Sequence, residues 1–180
     1  MLAGRFNARN FGRNGSRRVA TAHTIAVPSM ANTYTELLYH CIWSTKNREP
    51  LIRQEIEESV WAILASVATR HQLHIRRAGG IDNHVHVLID IPKTVSVSEA
   101  MKQLKGGSSN AINQEGLMKA GRFSWQDGYA AFTVSASNAA QVVRYIASQR
   151  EHHRHRSFEE ELVALLEKHR VAYDPKYLWD

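Results

Sequence analysis

The sequence predicts an α+β fold built on a four-stranded antiparallel sheet, and three observations lead there. β-favouring runs and stretches of helical apolar spacing follow one another in the order strand, helix, strand, strand, helix, strand, with two further helices behind them. Turn-forming residues separate most of these runs. The chain has 180 residues, 43% hydrophobic and 22% charged, which suits one core and rules out wholesale disorder.

The first strand is expected over 33–45, where Tyr34, Leu37, Leu38, Tyr39, Cys41, Ile42 and Trp43 precede the turn-rich stretch 47–50. Apolar residues then recur at Ile52, Ile56, Val60, Ile63, Leu64 and Val67, a helical spacing. Glu55, Glu57 and Glu58 lie near its N-terminal end, where the helix dipole favours acids. A short strand over 73–78, a turn at Gly79-Gly80 and a hydrophobic strand over 84–91 stopped by Pro92 come next.

Ser96 and Glu99 have capping-box spacing for a second helix through Val97, Ala100, Met101 and Leu104, which Gly106-Gly107 is expected to interrupt. A fourth strand is expected over 129–134 and a helix over 138–153. A last helix is opened by Ser157 and Glu160, another capping-box pair, with Leu162, Leu165 and Leu166 as its core stripe. The first six elements have the order of a ferredoxin-like split βαβ arrangement. Its helices back one face of the sheet and leave the other for a ligand, a partner or the extra helices.

Lys and Arg number 23 against 17 Asp and Glu, a formal charge of +6. Arg5, Arg9, Arg13, Arg17 and Arg18 all lie in 1–29, which holds no acidic residue; 30–180 then carries 18 basic and 17 acidic residues. Any affinity of that part for a polyanion must therefore come from local placement of charge. Residues 1–29 are expected to be a disordered basic leader, favoured as an upstream extension with Met30 as the natural start over a transit peptide or a nucleic-acid-binding arm. The working domain is expected over 30–180. Cys41 is the only cysteine, so no intramolecular disulfide can form and a reducing, cytoplasmic setting is expected. No apolar run approaches the ~20 residues that cross a bilayer, so membrane and disulfide-scaffold classes drop out.

Chemistry concentrates in two places. His84-Val85-His86 lies on the third strand, where residues two apart share a face. Paired imidazoles can hold one divalent metal, although two histidines on a solvated or hydrogen-bonded sheet face have the same pattern. Tyr145 and Gln149, four apart, share one face of the helix over 138–153. A tyrosine hydroxyl is a candidate nucleophile and a glutamine carbonyl a neutral oxygen ligand; an ordinary amphipathic helix fits the same spacing.

Together these residues resemble the HUH single-tyrosine transposases, the small IS200-like insertion-sequence enzymes that act on single-stranded DNA. His84-Val85-His86 fits the histidine, bulky hydrophobic, histidine motif, and Tyr145 and Gln149 fall where that family has its nucleophile and a further metal ligand. Gly80-Ile81-Asp82-Asn83, Leu104-Lys105-Gly106-Gly107-Ser108-Ser109, Trp125-Gln126-Asp127-Gly128-Tyr129 and the Tyr177-Leu178-Trp179-Asp180 ending also look like the family, over nearly all of 32–180. The resemblance implies a metal-dependent endonuclease and strand transferase. Mg²⁺ or Mn²⁺ would be held by His84, His86 and Gln149, and Tyr145 would form a 5′-phosphotyrosine intermediate. It also implies a homodimer and, as partner, single-stranded DNA with the hairpin ends of an insertion element. The group that takes the Tyr145 proton is not identified by the sequence.

Further contacts with DNA are expected from Lys102, Lys105, Ser108 and Ser109 on the second helix, with a solvated helix face as the alternative. His152, His153 and Arg154, beyond Gln149, are expected either to meet phosphates or to complement the dipole of a solvated helix end. Two rival functions stand beside the transposase: a domesticated regulator that binds DNA or RNA hairpins without cutting them, and a ferredoxin-like metal or small-molecule binding module in which Tyr145 lies away from the histidine pair.

Overall fold

In the computed structural model the residues described are 33–176, 178 and 179, so the expectations for 1–29, Tyr177 and Asp180 lie outside them. Two strands form the centre of the sheet, β1 (Leu38–Ser44) and β3 (His84–Asp90), and nearly all their residues are buried on both faces. That is why both read as near-continuous apolar runs rather than as alternating ones. β2 (His74–Ile81) pairs with β3 and β4 (Ala130–Val134) with β1, giving the order β2-β3-β1-β4 with every pairing antiparallel. This is the ferredoxin-like sheet that the element order predicts.

Register divides the chemistry between the two faces. Ile42 lies opposite His86 and His40 opposite Leu88, so His40, Ile42, His84, His86 and Leu88 share one face. Cys41, Trp43, Val85, Val87 and Ile89 take the other. They form the main core with Val60, Leu64 and Val67 of α1 (Glu57–Arg70) and Met101, Leu104 and Ile112 of α2 (Val97–Gln114). Each fully buried side chain of this size contributes about 1.5–3 kcal/mol.

The histidine-bearing face is covered by the extra helices α3 (Ala139–Ala147), α4 (Gln149–His152) and α5 (Phe158–Lys168). Ile146 packs with Leu38 and Leu88, while Phe158 and Leu166 pack with Ile42 and Phe132. Among the described residues no helix is long and apolar enough to cross a membrane.

Several element boundaries differ from expectation for identifiable reasons. Gly79-Gly80 is not the turn: β2 runs on to Ile81, and Asp82-Asn83 links it to β3. The glycine at 79 serves a close approach, since a Cβ there would lie 2.7 Å from the Ile146 carbonyl oxygen on α3. Gly106-Gly107 does not interrupt α2, because a Cβ at Gly107 would lie 2.8 Å from Val67 Cγ1, and its absence lets α1 and α2 pack tightly. The helix expected over 138–153 is two helices that break at Ser148 (φ −98°, ψ 13°), whose Oγ donates to the Tyr145 carbonyl at 3.2 Å. The Ser157 capping box forms in full. At Ser96 only the hydroxyl half forms; the Glu99 carboxylate accepts from Gln103 instead.

Candidate functional site

β3 carries His84 and His86 into the layer between the sheet and α3–α5, and both are fully buried. Their rings are oriented from behind. His84 Nδ1 lies 2.8 Å from Asn83 Oδ1, an acceptor, so Nδ1 carries the proton and Nε2 is left with its lone pair. The ring stacks on Phe158 at 4.4 Å. His86 Nδ1 lies 3.0 Å from His40 Nε2, and His86 Nε2 lies 3.2 Å from the Glu161 carboxylate. A carboxylate only accepts, so His86 donates through Nε2 and His40 donates to its Nδ1. Burial above all lowers the pKa of both motif histidines, and with His86 beside it His40 is lowered to about 3. All three are neutral imidazoles near pH 7.

Glu161 is the centre of the arrangement. The sequence reading places apolar residues on the inner stripe of α5, yet the buried residues there are Phe158, Glu161 and Leu166. The carboxylate is 1% exposed and collects donors from four residues. Oε1 accepts from the Tyr145 hydroxyl and from Gln149 Nε2 (3.0 Å), and Oε2 accepts from His86 Nε2 and from His153 Nε2 (3.1 Å). Burial opposes its charge, but these donors outweigh that and hold the carboxyl far below the usual range. His153 also donates through Nδ1 to the Arg156 carbonyl at 2.8 Å. Both its nitrogens face acceptors, and although burial works against its charge, Glu161 raises its pKa. Tyr145 is half-buried; burial first, and then the hydrogen bond to Glu161, raise its pKa.

The donor set suits a divalent cation. Candidate ligand atoms of His84, His86, His153 and Glu161 all lie within 4.8 Å of one another. Two buried atoms, His84 Nε2 and Gln149 Oε1, have no hydrogen-bond partner of normal geometry; the nearest Glu161 oxygen is 3.8 Å from the former. Buried polar atoms are nearly always satisfied, so two unpaired acceptors beside a carboxylate mark a place for a positive charge.

The site thus gathers His84, His86, Tyr145, Gln149, His152 and His153. His152 packs edge-on against the Tyr145 ring at 5.3 Å. Arg154 stays exposed, paired with Glu151 at 3.0 Å. The α2 residues lie on the opposite side of the sheet. Lys102 is exposed beside Glu99 at 3.6 Å, while Lys105 donates to the carbonyls of Asp127 (2.6 Å) and Gly128 (2.7 Å) and burial lowers its pKa to about 8. Ser108 is fully buried, donating to the Leu104 carbonyl and accepting from Trp125 Nε1. The Ser109 carbonyl accepts from Asn113. Lys105 and Ser108 are thus engaged in holding the protein together. Sequence reading missed Glu161 and His40; the available signal for each was a polar residue on an otherwise apolar face.

The ferredoxin-like sheet with a histidine pair facing a helical tyrosine defines a class, and comparison with known proteins agrees. The pattern of the family described as "Transposase IS200 like" matches residues 33–149, and the chain belongs to that family. Among its relatives, the ISDra2 transposase TnpA of Deinococcus radiodurans is 30% identical over 118 residues, covering 63% of this chain and 84% of the relative. The transposase for insertion sequence element IS200 of Salmonella typhimurium is 32% identical over 127 residues, covering 68% and 83%. A crystal structure of a candidate transposase from Deinococcus radiodurans superposes with a TM-score of 0.54 at 27% identity, over 68% of this chain and 98% of that one. A REP-associated tyrosine transposase solved with a REP hairpin shares the fold (TM-score 0.51, 13% identity, 71% and 74% covered). His153 and Glu161 lie beyond the matched segment.

Proposed function

We propose that the chain is a metal-dependent endonuclease and strand transferase for single-stranded DNA, with Tyr145 as nucleophile and His84, His86 and Gln149 as metal ligands. One observation carries this reading: the Tyr145 hydroxyl and the Gln149 amide meet at one oxygen of Glu161 while His86 meets the other. Nucleophile and ligands of a single chain therefore converge on one buried point. Mg²⁺ or Mn²⁺ held there would polarise a phosphodiester as a Lewis acid. The two imidazoles and the carboxamide favour Mn²⁺, and the Glu161 carboxylate is a further oxygen donor within reach.

The chain's own part of the chemistry follows from where its protons sit. Tyr145 Oη forms a bond to phosphorus, and the bond from that phosphorus to the neighbouring 3′ oxygen breaks. The phenol loses its proton and the departing 3′ oxygen gains one. The product is a 5′-phosphotyrosine and a free 3′-hydroxyl, and a different 3′-hydroxyl can reverse the step and rejoin DNA without ATP. Glu161 Oε1 faces the proton that must leave. With Tyr145 held above, and Glu161 far below, their ordinary pKa values, the proton stays on Tyr145 until some of the donors around Glu161 are drawn away.

A tyrosine transposase of similar fold is solved with a REP hairpin, which makes a hairpin the first substrate to try. Labelled single-stranded hairpins from the flanks of the gene are incubated with Mn²⁺ and either wild-type or Tyr145→Phe protein. A covalent adduct is expected with wild type alone. An adduct that survives Tyr145→Phe removes Tyr145 as nucleophile, and binding without cleavage by wild type points to the regulator instead.

A further inference from the structure

Beside the Tyr145 hydroxyl lies a cavity of about 320 Å³ whose lining includes Phe132, Val142, Tyr145, Arg156, Leu165 and Lys168. It forms where α5 runs over β4 next to α3, so one of its walls lies beyond the segment 33–149 that matches the family. Its volume is at the lower end of the ~300–1,000 Å³ typical of small-molecule sites, a size for one nucleotide rather than a base pair. The floor is apolar and aromatic, and Phe132 is already stacked with His169 at 4.3 Å and an interplanar angle of 22°. Arg156 and Lys168 are exposed cations on its lining. Glu161 is the one acid among the described lining residues, and its carboxylate is engaged by the donors around it. The side-chain amides of Asn138 and Gln141 are part of the same lining and can pair with the edge of a base.

We infer that this cavity seats one unpaired nucleotide of the DNA strand, next to the phosphodiester that Tyr145 attacks, with its base on the apolar floor and its backbone phosphate at Arg156 and Lys168. Aromatic floors with cationic rims hold single strands in this way. The inference rests on the transposase reading and adds to it a binding site for the substrate that α5 helps to build.

The test uses the full chain carrying Tyr145→Phe, so that the strand is held without being cut, and a hairpin whose cleavage point has been mapped from the wild-type adduct. Affinity is measured by mobility shift for the intact hairpin and for versions lacking the base on either side of that point. Loss of one of these bases is expected to weaken binding about fivefold or more. Ala164→Phe, which fills the cavity, is expected to abolish the difference. Equal binding of intact and abasic hairpins overturns the subsite, and so does a base-dependent difference that persists in Ala164→Phe. Should Ala164→Phe fail to fold, 5-iodouracil at the base-sensitive position decides: photocrosslinks to the peptides bearing Phe132 or His169 support the subsite, and their absence overturns it. No adduct with wild type and no hairpin binding is a separate result, which refutes the transposase reading and the subsite with it.

Discussion

Among single residues, Glu161 couples the parts of the site to one another. It is buried, negative and surrounded by donors from β3, α3, α4 and the segment after α4. Removing one member of a buried ion pair leaves the other uncompensated, at a cost of roughly 3–5 kcal/mol. Glu161→Gln is therefore expected to lower the midpoint of thermal unfolding clearly, because His153 loses the carboxylate that favours its charge; an unchanged midpoint would show that this charge is not needed for folding. A second expectation concerns Asn83, which fixes the His84 tautomer. Outer residues of this kind typically alter metal affinity about 10–100-fold. Asn83→Ala should weaken Mn²⁺ binding by about tenfold in isothermal titration, and His84→Ala by more. His84, His86, Tyr145 and Gln149 were legible in the sequence because their relations are local, two residues apart on a strand and four apart near a helix. Glu161 and His40 were not, because the groups that give them meaning lie far along the chain: Glu161 is 75 residues from His86, and His40 is 46.

Among the elements, α3 and α5 hold Tyr145 and Glu161, and their seating depends on small local features. At Gly79 the strand and α3 approach so closely that a methyl group would collide with backbone, which cannot rotate aside. Gly79→Ala should cost about 1–3 kcal/mol, as overpacking does, and should also reduce adduct formation, since Tyr145 directly precedes the residue that is struck. Urea denaturation beside the adduct assay checks both; an unaffected adduct yield would mean that α3 can shift without harm to the proposed role of Tyr145. Ser157→Ala removes the hydroxyl cap of α5 and should cost about 1 kcal/mol in the same measurement. Both serine caps were readable from sequence, because caps depend on residues three apart, but the carboxylate half expected at Ser96 does not form, since Glu99 accepts from Gln103. The break at Ser148 was not, since the residues around it have helical spacing and only the bonding of the folded chain interrupts it.

For the whole molecule, the buried histidines give stability a pH dependence of definite sign. His40, His84 and His86 have pKa values below the ordinary 6.5, and His153 has one above it. Below pH 6.5 the unfolded chain protonates the first three while the folded chain resists, so unfolding takes up protons and stability falls as pH is lowered. His153 acts oppositely, since its contribution is present below 6.5 and lost as pH rises through its folded value. Three outweigh one, and with a folded value of about 3, His40 alone contributes a loss on the order of 2 kcal/mol between pH 7 and 5. Glu161, depressed in the fold, adds to the decline once pH drops below 4.5. Calorimetry of the metal-free protein should give a lower unfolding temperature at pH 5 than at pH 7; a constant or higher value at pH 5 would refute this balance.

By itself, the sequence determined the order of strands and helices, the four-stranded sheet and the four side chains expected to do the chemistry, because each follows from periodicity, capping or motif spacing within a few residues. Only the tertiary structure decided that the second face of the sheet is closed by α3–α5, that Lys105 and Ser108 serve packing, and that a carboxylate from the last helix sits among the histidines. The physical reason is the same in each case. Local spacing sets which way a side chain leaves its own strand or helix, but whether it then meets solvent, core or another charged group depends on elements that join the sheet from distant parts of the chain.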